Sequence, residues 1–272
     1  MSNAVNMFND YAELFLPNDK RYENNNNNRM KKNLLIGTTG NVGMRIRQHL
    51  LTKPLELYSP SSLKLNLNSC YSIKKYFQSV ASNEPFDYVI YCALDKSSSD
   101  FERRNIDNLQ NILNFQNCFQ AWIHFSSRSV YDALGSFRNI HVVRLEDLPE
   151  PNSPYSRLKY REEVLLSKVF HHDSFILRMF DFTTSENYSD IVQRWENQIL
   201  RKGSCKNELL SPIYYTYVNS VIDGIIGEKI IPGTYNLCGT QTIDSEIAMK
   251  GRVSGTKLEK TGFCSFNFAS SR

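Results

Sequence analysis

Tyr155 and Lys159 stand four residues apart in a stretch with helical periodicity, a spacing that puts both side chains on one helix face. A phenol beside an ammonium can serve as a general acid or base near neutral pH, because the positive charge favours the phenolate. Ser127 closes an apolar run upstream, where it could hold a substrate oxygen by hydrogen bonding. Farther upstream, Gly37, Gly40 and Gly43 frame a G-x-x-G-x-x-G loop through Thr38, Thr39, Asn41 and Val42. Such a loop, leading into a helix, lets a pyrophosphate reach backbone amides, and the helix dipole adds favourable charge. Together these residues suit a proton moved by Tyr155 while a bound dinucleotide moves a hydride. A Tyr-x-x-x-Lys pair alone is ordinary on amphipathic helices. The order of glycine loop, Ser127, Pro154 and Tyr155 makes the combination specific.

These residues need rigid elements to hold them. Residues 33–36 read as a buried strand before the glycine loop, followed by a helix over 42–51 and a short strand over 55–58. A helix at 73–80, a strand at 87–93, a helix at 106–115 and a strand at 122–126 continue the alternation. The helix carrying Tyr155 extends to Val169, and a strand follows at 175–179. Strands alternating with helices predict parallel βαβ units, hence an α/β fold with a Rossmann-type doubly wound parallel sheet covered on both faces. Beyond Phe182 the pattern loosens, with helices expected at 191–200 and 218–226 and a strand at 235–238. Val142 and Val143 sit in a region with no firm assignment. The predicted organisation is a polar N-terminal extension at 1–31, a dinucleotide-binding domain at 32–182 and a small substrate-binding lobe at 183–272. The extension holds a polyasparagine tract, Asn24 to Asn28, and an apolar group from Tyr11 to Leu16 that could form a docking helix.

Composition excludes several classes. The net charge of +4 comes from scattered basic residues, which does not indicate nucleic-acid binding. None of the six cysteines forms a Cys-x-x-Cys pair, so reduced, mostly packed thiols are expected, with no metal site. No apolar run is long enough to cross a membrane, and no apolar stretch follows a basic start, so a cytoplasmic protein is expected. Between the two nicotinamide cofactors, NADP is favoured over NAD. The end of the second strand reads Tyr58, Ser59, Pro60, without the carboxylate that binds NAD ribose, while Ser59, Ser61 and Ser62, with Arg45 or Lys64, could accept a 2′-phosphate.

From about Asn33 to Asn236 the chain resembles the extended short-chain dehydrogenase/reductases, the NAD-dependent epimerase/dehydratase family. Gly37 to Gly43 resembles the cofactor loop. Asn66 and Leu67 resemble the Asp-Ile or Asp-Leu pair near adenine, and Tyr91, Cys92 and Ala93 a strand end that usually reads His-x-Ala-Ala. Asn105 resembles the asparagine that opens the next helix. Residues 125–131 resemble the segment of the catalytic Ser or Thr, which places that role on Ser127. Residues 153–159 resemble the catalytic helix start, with Glu163 as the acid that often follows. Residues 177–180 resemble a Leu-Arg-x-Phe segment. Tyr217 with Val218, and Gly233 to Asn236, resemble later landmarks.

The resemblance implies a nucleotide-linked sugar substrate, work in polysaccharide biosynthesis, and a homodimer formed through the helices after Asn105 and around Tyr155. It implies cofactor contacts from Gly37, Thr39, Gly40, Asn41, Val42, Gly43, Ser59, Asn66, Leu67, Cys92, Ala93, Tyr155 and Lys159. Substrate contacts would come from Ser127, Arg128 and Asp181. Arg128 and Ser129 follow Ser127 where sugar dehydratases carry Asp-Glu, which argues against a dehydratase. Ile213 and Ser220 stand where an arginine and an acid are common, and Arg194, Arg201 or Lys202 could replace that arginine. The expected activity is reduction of a 4-keto sugar, with Tyr155 as general acid. The alternatives are a sugar-nucleotide 4-epimerase with tightly bound NAD, and a non-catalytic cofactor-binding scaffold.

Overall fold

The computed structural model describes residues 29–80, 84–97, 99–131, 148–180, 182–183, 209–210, 213–237 and 243–244. Residues 1–28 of the N-terminal extension, Val142, Val143, Asp181, the helix expected at 191–200, Arg194, Arg201, Lys202, three of the cysteines (Cys205, Cys238, Cys264) and the polar end of the chain lie outside them.

Strand β1 (Lys32–Ile36) is buried along its length, as befits a strand covered on both faces. Helix α1 (Asn41–Leu50) follows, then β2 (Glu56–Tyr58), α2 (Cys70–Val80), β3 (Phe86–Tyr91), α3 (Phe101–Leu113) and β4 (Phe119–Ser127). After these come α4 (Pro154–Val169), β5 (Ser174–Met179), β6 (Phe182–Thr183), β7 (Leu209–Leu210) and β8 (Ile213–Tyr214). Helix α5 (Tyr215–Ile226), β9 (Gly233–Leu237) and β10 (Ile243–Asp244) complete the described elements. Six strands form one parallel sheet in the order β2-β1-β3-β4-β5-β9. The α/β doubly wound sheet expected from the sequence is therefore present. Its sixth strand comes from beyond residue 182, so residues of the C-terminal stretch build the sheet itself. Two small pairs, β6 with β8 and β7 with β10, lie apart from it.

Alternation along the strands sorts side chains into two cores. Leu35, Ile90, Ile123 and Leu177 face Ile46 and Leu50 of α1 and Val218, Val221 and Ile225 of α5. Leu34, Ile36, Val89 and Trp122 face Phe77 of α2, Leu109 and Ile112 of α3 and Leu166 of α4. Asp223 of α5 binds His49 Nε2 at 2.8 Å and Lys53 Nζ at 2.7 Å, which ties α5 to the end of α1. The strand edge is clamped by Asp87, which accepts from the Lys32 amide at 2.7 Å and pairs with Arg29 at 2.7 Å.

Several boundaries differ from the sequence reading, and α2 and α5 each begin three residues early, at Cys70 and Tyr215. Helix α3 begins at Phe101 rather than near Ile106, because its first turns carry Glu102, Arg103 and Arg104 and show no apolar period. Asn105 therefore does not open that helix but lies buried inside it. Its side chain accepts from the Asp95 amide at 2.8 Å and donates to the carbonyls of Asp95 and Phe101, pinning the loop after β3. Strand β4 begins at Phe119, three residues before Trp122.

Candidate active site

The chain leaves the C-terminal end of β1 towards β2 and that of β3 towards β4 on the opposite side, so a crevice opens between β1 and β3. Ligands bind in the crevice at such a switch point. The glycine loop occupies it. Gly37 has φ +88°, a conformation that side chains rarely adopt, and a Cβ there would lie 2.4 Å from the Ala93 nitrogen. A Cβ on Gly43 would lie 2.2 Å from the Gly37 oxygen, so this glycine lets α1 approach the strand end. Gly40 is different. A Cβ there would meet only the Gly37 oxygen at an ordinary 3.6 Å, so nothing in the protein's own packing demands a glycine. The N-terminus of α1 has no side-chain cap and no acidic residue in its first turn. Its first amides therefore remain available to an anion. Thr39, Gly40 and Asn41 are exposed around them, with Val42 half-buried.

Helix α4 starts at a built cap. Ser153 Oγ accepts from the Ser156 amide at 3.1 Å, and Pro154 takes the first helical position. This fixes Tyr155 at the helix mouth and turns Lys159 inward. Tyr155, Lys159, Ser127, Arg128, Cys92 and Val42 line one cleft of about 330 Å³. That volume falls within the range of small-ligand sites. Met179, Phe180, Leu94, Phe125 and Ser126 also line it. Ser127 Oγ accepts from the Ser129 amide at 3.2 Å, which leaves its own proton for an oxygen in the cleft. Burial pushes the Cys92 thiol well above the usual range, so it lines the cleft as a protonated, neutral group. A wider depression of about 630 Å³ lies between the start of α2 and the outer side of α3, but it brings together no such hydroxyl, phenol and ammonium.

A polar layer underlies the cleft. Lys159 Nζ donates to Glu162 Oε2 at 2.8 Å, and His124 Nε2 lies 3.2 Å from the same oxygen but out of line for a hydrogen bond. Burial disfavours the Lys159 ammonium, yet the Glu162 carboxylate and Tyr155 outweigh it and raise its pKa. Burial acts against the Glu162 carboxylate too, but the adjoining Lys159 ammonium, the chief opposing charge, holds its pKa below the usual value. Burial pushes His124 down, which keeps the imidazole neutral. Beside this group, Arg178 forks onto Glu163, with Nη2 to Oε2 at 2.7 Å and Nε to Oε1 at 3.1 Å. Ser126 Oγ donates to Glu163, and Arg178 also donates to the Tyr131 hydroxyl. Tyr131 in turn meets Asn236 of β9 at 3.2 Å.

The other expected positions are spread along the sheet's C-terminal side. Ala93 abuts Gly37. Exposed Asn66 turns its side-chain oxygen onto the Asn68 amide at 3.0 Å, and half-buried Leu67 packs on the core. Ser59 accepts from Arg47 Nε at 3.1 Å. The expected neighbour, Arg45, instead lies over the Tyr215 ring at 5.1 Å, because two helical positions rotate a side chain by about 200°. Ile213 is buried in the apolar core, so it makes no phosphate contact. Ser220 Oγ donates to the Thr216 carbonyl. Sequence reasoning missed Arg47, His124 and Glu162. Only Glu162 carried a signal, its i,i+3 spacing from Lys159. Among the described residues, Cys70, Cys92 and Cys118 are free thiols, no group of three His, Cys, Asp or Glu could hold a metal ion, and no helix is long and apolar enough to cross a membrane.

No family model and no curated protein sequence matches the chain. Solved structures do. A dTDP-4-dehydrorhamnose reductase from Clostridium acetobutylicum superposes with a TM-score of 0.63 at 18% identity, over 82% of this chain and 80% of that one. The dTDP-4-dehydrorhamnose reductase of Bacillus anthracis, in complex with NADP, gives 0.60 at 19% identity, over 85% and 84%. The UDP-glucose 4-epimerase of Thermus thermophilus, in complex with NAD, gives 0.62 at 15%, over 84% and 85%. At these identities the likeness establishes the fold: this chain has the architecture of those Rossmann-fold structures.

Proposed function

We propose that the chain is an NAD(P)-dependent enzyme of the extended short-chain dehydrogenase/reductase kind that reduces a nucleotide-linked 4-keto sugar. The observation that carries this reading is the single cleft lined by Ser127, Tyr155 and Lys159, beside a glycine loop open above Gly40. The fold likeness to nucleotide-sugar reductases and epimerases supports it. The loop residues 37–43 would hold the pyrophosphate. Cys92 and Ala93, at the end of β3, would border the nicotinamide side, and Asn66 and Leu67 the adenine side. When bound, NADPH supplies the hydride. Ser127 donates a hydrogen bond to the substrate carbonyl, Tyr155 protonates the same oxygen, and Lys159 holds the nicotinamide ribose and favours the proton transfer.

Reduction is preferred to 4-epimerisation because the end of β2 carries a hydroxyl and a guanidinium rather than an acid. Ser59 and Arg47 suit the 2′-phosphate of NADP, which accepts charge-assisted hydrogen bonds. Arg128 and Asp181 remain the proposed substrate contacts. A cytoplasmic homodimer through α3 and α4 is part of the same proposal, tested by sedimentation of the purified protein.

Titration with NADPH and NADH, followed by fluorescence, tests the cofactor. Loss of NADPH absorbance with a nucleotide-linked 4-keto sugar then tests the reaction. Arg47→Ala is expected to weaken NADPH about tenfold and leave NADH unchanged. Equal loss for both would remove Arg47 from the 2′-phosphate site. Gly40→Ala is expected to keep the stability within about 1 kcal/mol while weakening NADPH about tenfold, since its methyl group enters the space left for the pyrophosphate. Gly43→Ala is expected to destabilise the fold by about 1–3 kcal/mol, because α1 must shift. Urea unfolding and the same titration separate the two. Equal effects from both variants would mean that Gly40 only serves the turn.

A further inference from the structure

Lys159 is nearly buried, and a buried ammonium is unstable without a counter-charge. Its contact is Glu162, fully buried one helical turn on, at 2.8 Å. Around this pair stand Tyr155 and Glu163 on α4, Tyr91 and Cys92 at the end of β3, and His124 on β4. Burial keeps Tyr91 and Cys92 protonated, and His124 neutral. Glu163 is committed to Arg178 and Ser126. Glu162 is therefore the negative charge that faces Lys159 directly. Its second oxygen, Oε1, and both nitrogens of His124 have no hydrogen-bond partner. A carboxylate held so dry has one strong partner to give up.

On the reading that this cleft binds NADPH, we infer that Glu162 is a positioning residue that keeps Lys159 charged and fixed in the cleft, with neutral His124 packed against the same carboxylate. The role acts through Lys159, since Glu162 does not line the cleft itself. The sign follows from the surroundings. With Glu162 ionised, Lys159 holds its proton above the ordinary lysine value, so its hold on the nicotinamide ribose is insensitive to alkaline pH. With Glu162 made neutral, burial governs Lys159, and the ammonium loses its proton as the pH rises.

The test is NADPH affinity, read by fluorescence from about pH 7 to about pH 9.5, for the unaltered protein and for Glu162→Gln. The unaltered protein is expected to bind equally well across this window. Glu162→Gln is expected to lose about tenfold in affinity across it, the worth of one hydrogen bond from a charged donor. Thermal melting checks that the variant folds. If it does not, Glu162→Asp, whose shorter arm opens the 2.8 Å contact, takes its place, with a smaller fall expected. A flat profile in a folded variant, or a loss of affinity over the same window in the unaltered protein, overturns the role while leaving the cofactor reading intact. Absence of NADPH binding by the unaltered protein at about pH 7 overturns the cofactor reading, and this role with it.

Discussion

Tyr155→Phe is expected to lower kcat about a thousandfold with nearly unchanged affinity for NADPH, the middle of the range for removing one general acid. The phenol stands at the mouth of α4 and is 37% exposed, so its hydroxyl contributes little to folding. The ring stays in place in the variant, and Lys159 keeps its contact with Glu162. What disappears is the proton delivered to the substrate oxygen as the hydride arrives. Ser127 can still orient that oxygen, but its hydroxyl is too weak an acid to replace the phenol. Steady-state turnover of a nucleotide-linked 4-keto sugar, with NADPH binding measured in parallel, decides the matter. Turnover within tenfold of the unaltered protein would remove Tyr155 from the chemistry, whatever the cofactor affinity.

The largest effect on stability is expected at Arg178. Its guanidinium and the Glu163 carboxylate are 8% and 5% exposed, joined at 2.7 Å and backed by Tyr131 and Ser126. Glu163 holds the Arg178 pKa above its usual value against the cost of burial. Replacing only one member strands the other charge away from water, which costs about 3–5 kcal/mol. Arg178→Met is therefore expected to lower the unfolding free energy by that amount in urea titrations. Arg178→Met combined with Glu163→Met is expected to recover most of it, because two apolar side chains of similar length need no counter-charge. A double variant as unstable as the sum of its parts would show that the pair is not coupled.

What the sequence revealed depended on the range of each interaction. The glycine loop was legible because its requirements are local: a positive φ at Gly37 and a close approach at Gly43. Tyr155 and Lys159 were legible because helical spacing alone brings them to one face. Strands such as β1 and β3 announced themselves as continuous apolar runs. Arg47 was not legible. Its pairing with Ser59 depends on the rotation of α1 against β2, and the sequence pointed to Arg45 instead. The link from Glu162 to His124 spans α4 and β4, whose relative placement no periodicity encodes. Strand β9 was legible as a strand but not as a member of the main sheet, since parallel pairing over such a separation leaves no local mark.

That pairing governs how the protein can be made. Strand β5 borders β9 over five residue pairs, from Phe175 with Gly233 to Met179 with Leu237, and α5 covers the adjoining core. During synthesis β5 emerges more than fifty residues before its neighbour, leaving an open row of backbone donors and acceptors. The nascent chain therefore carries a sticky edge until Leu237 has left the ribosome, and late, long-range closure of this kind slows folding. A fragment ending at residue 182 would keep that edge for good. Its fate would be self-association rather than an independent cofactor-binding module.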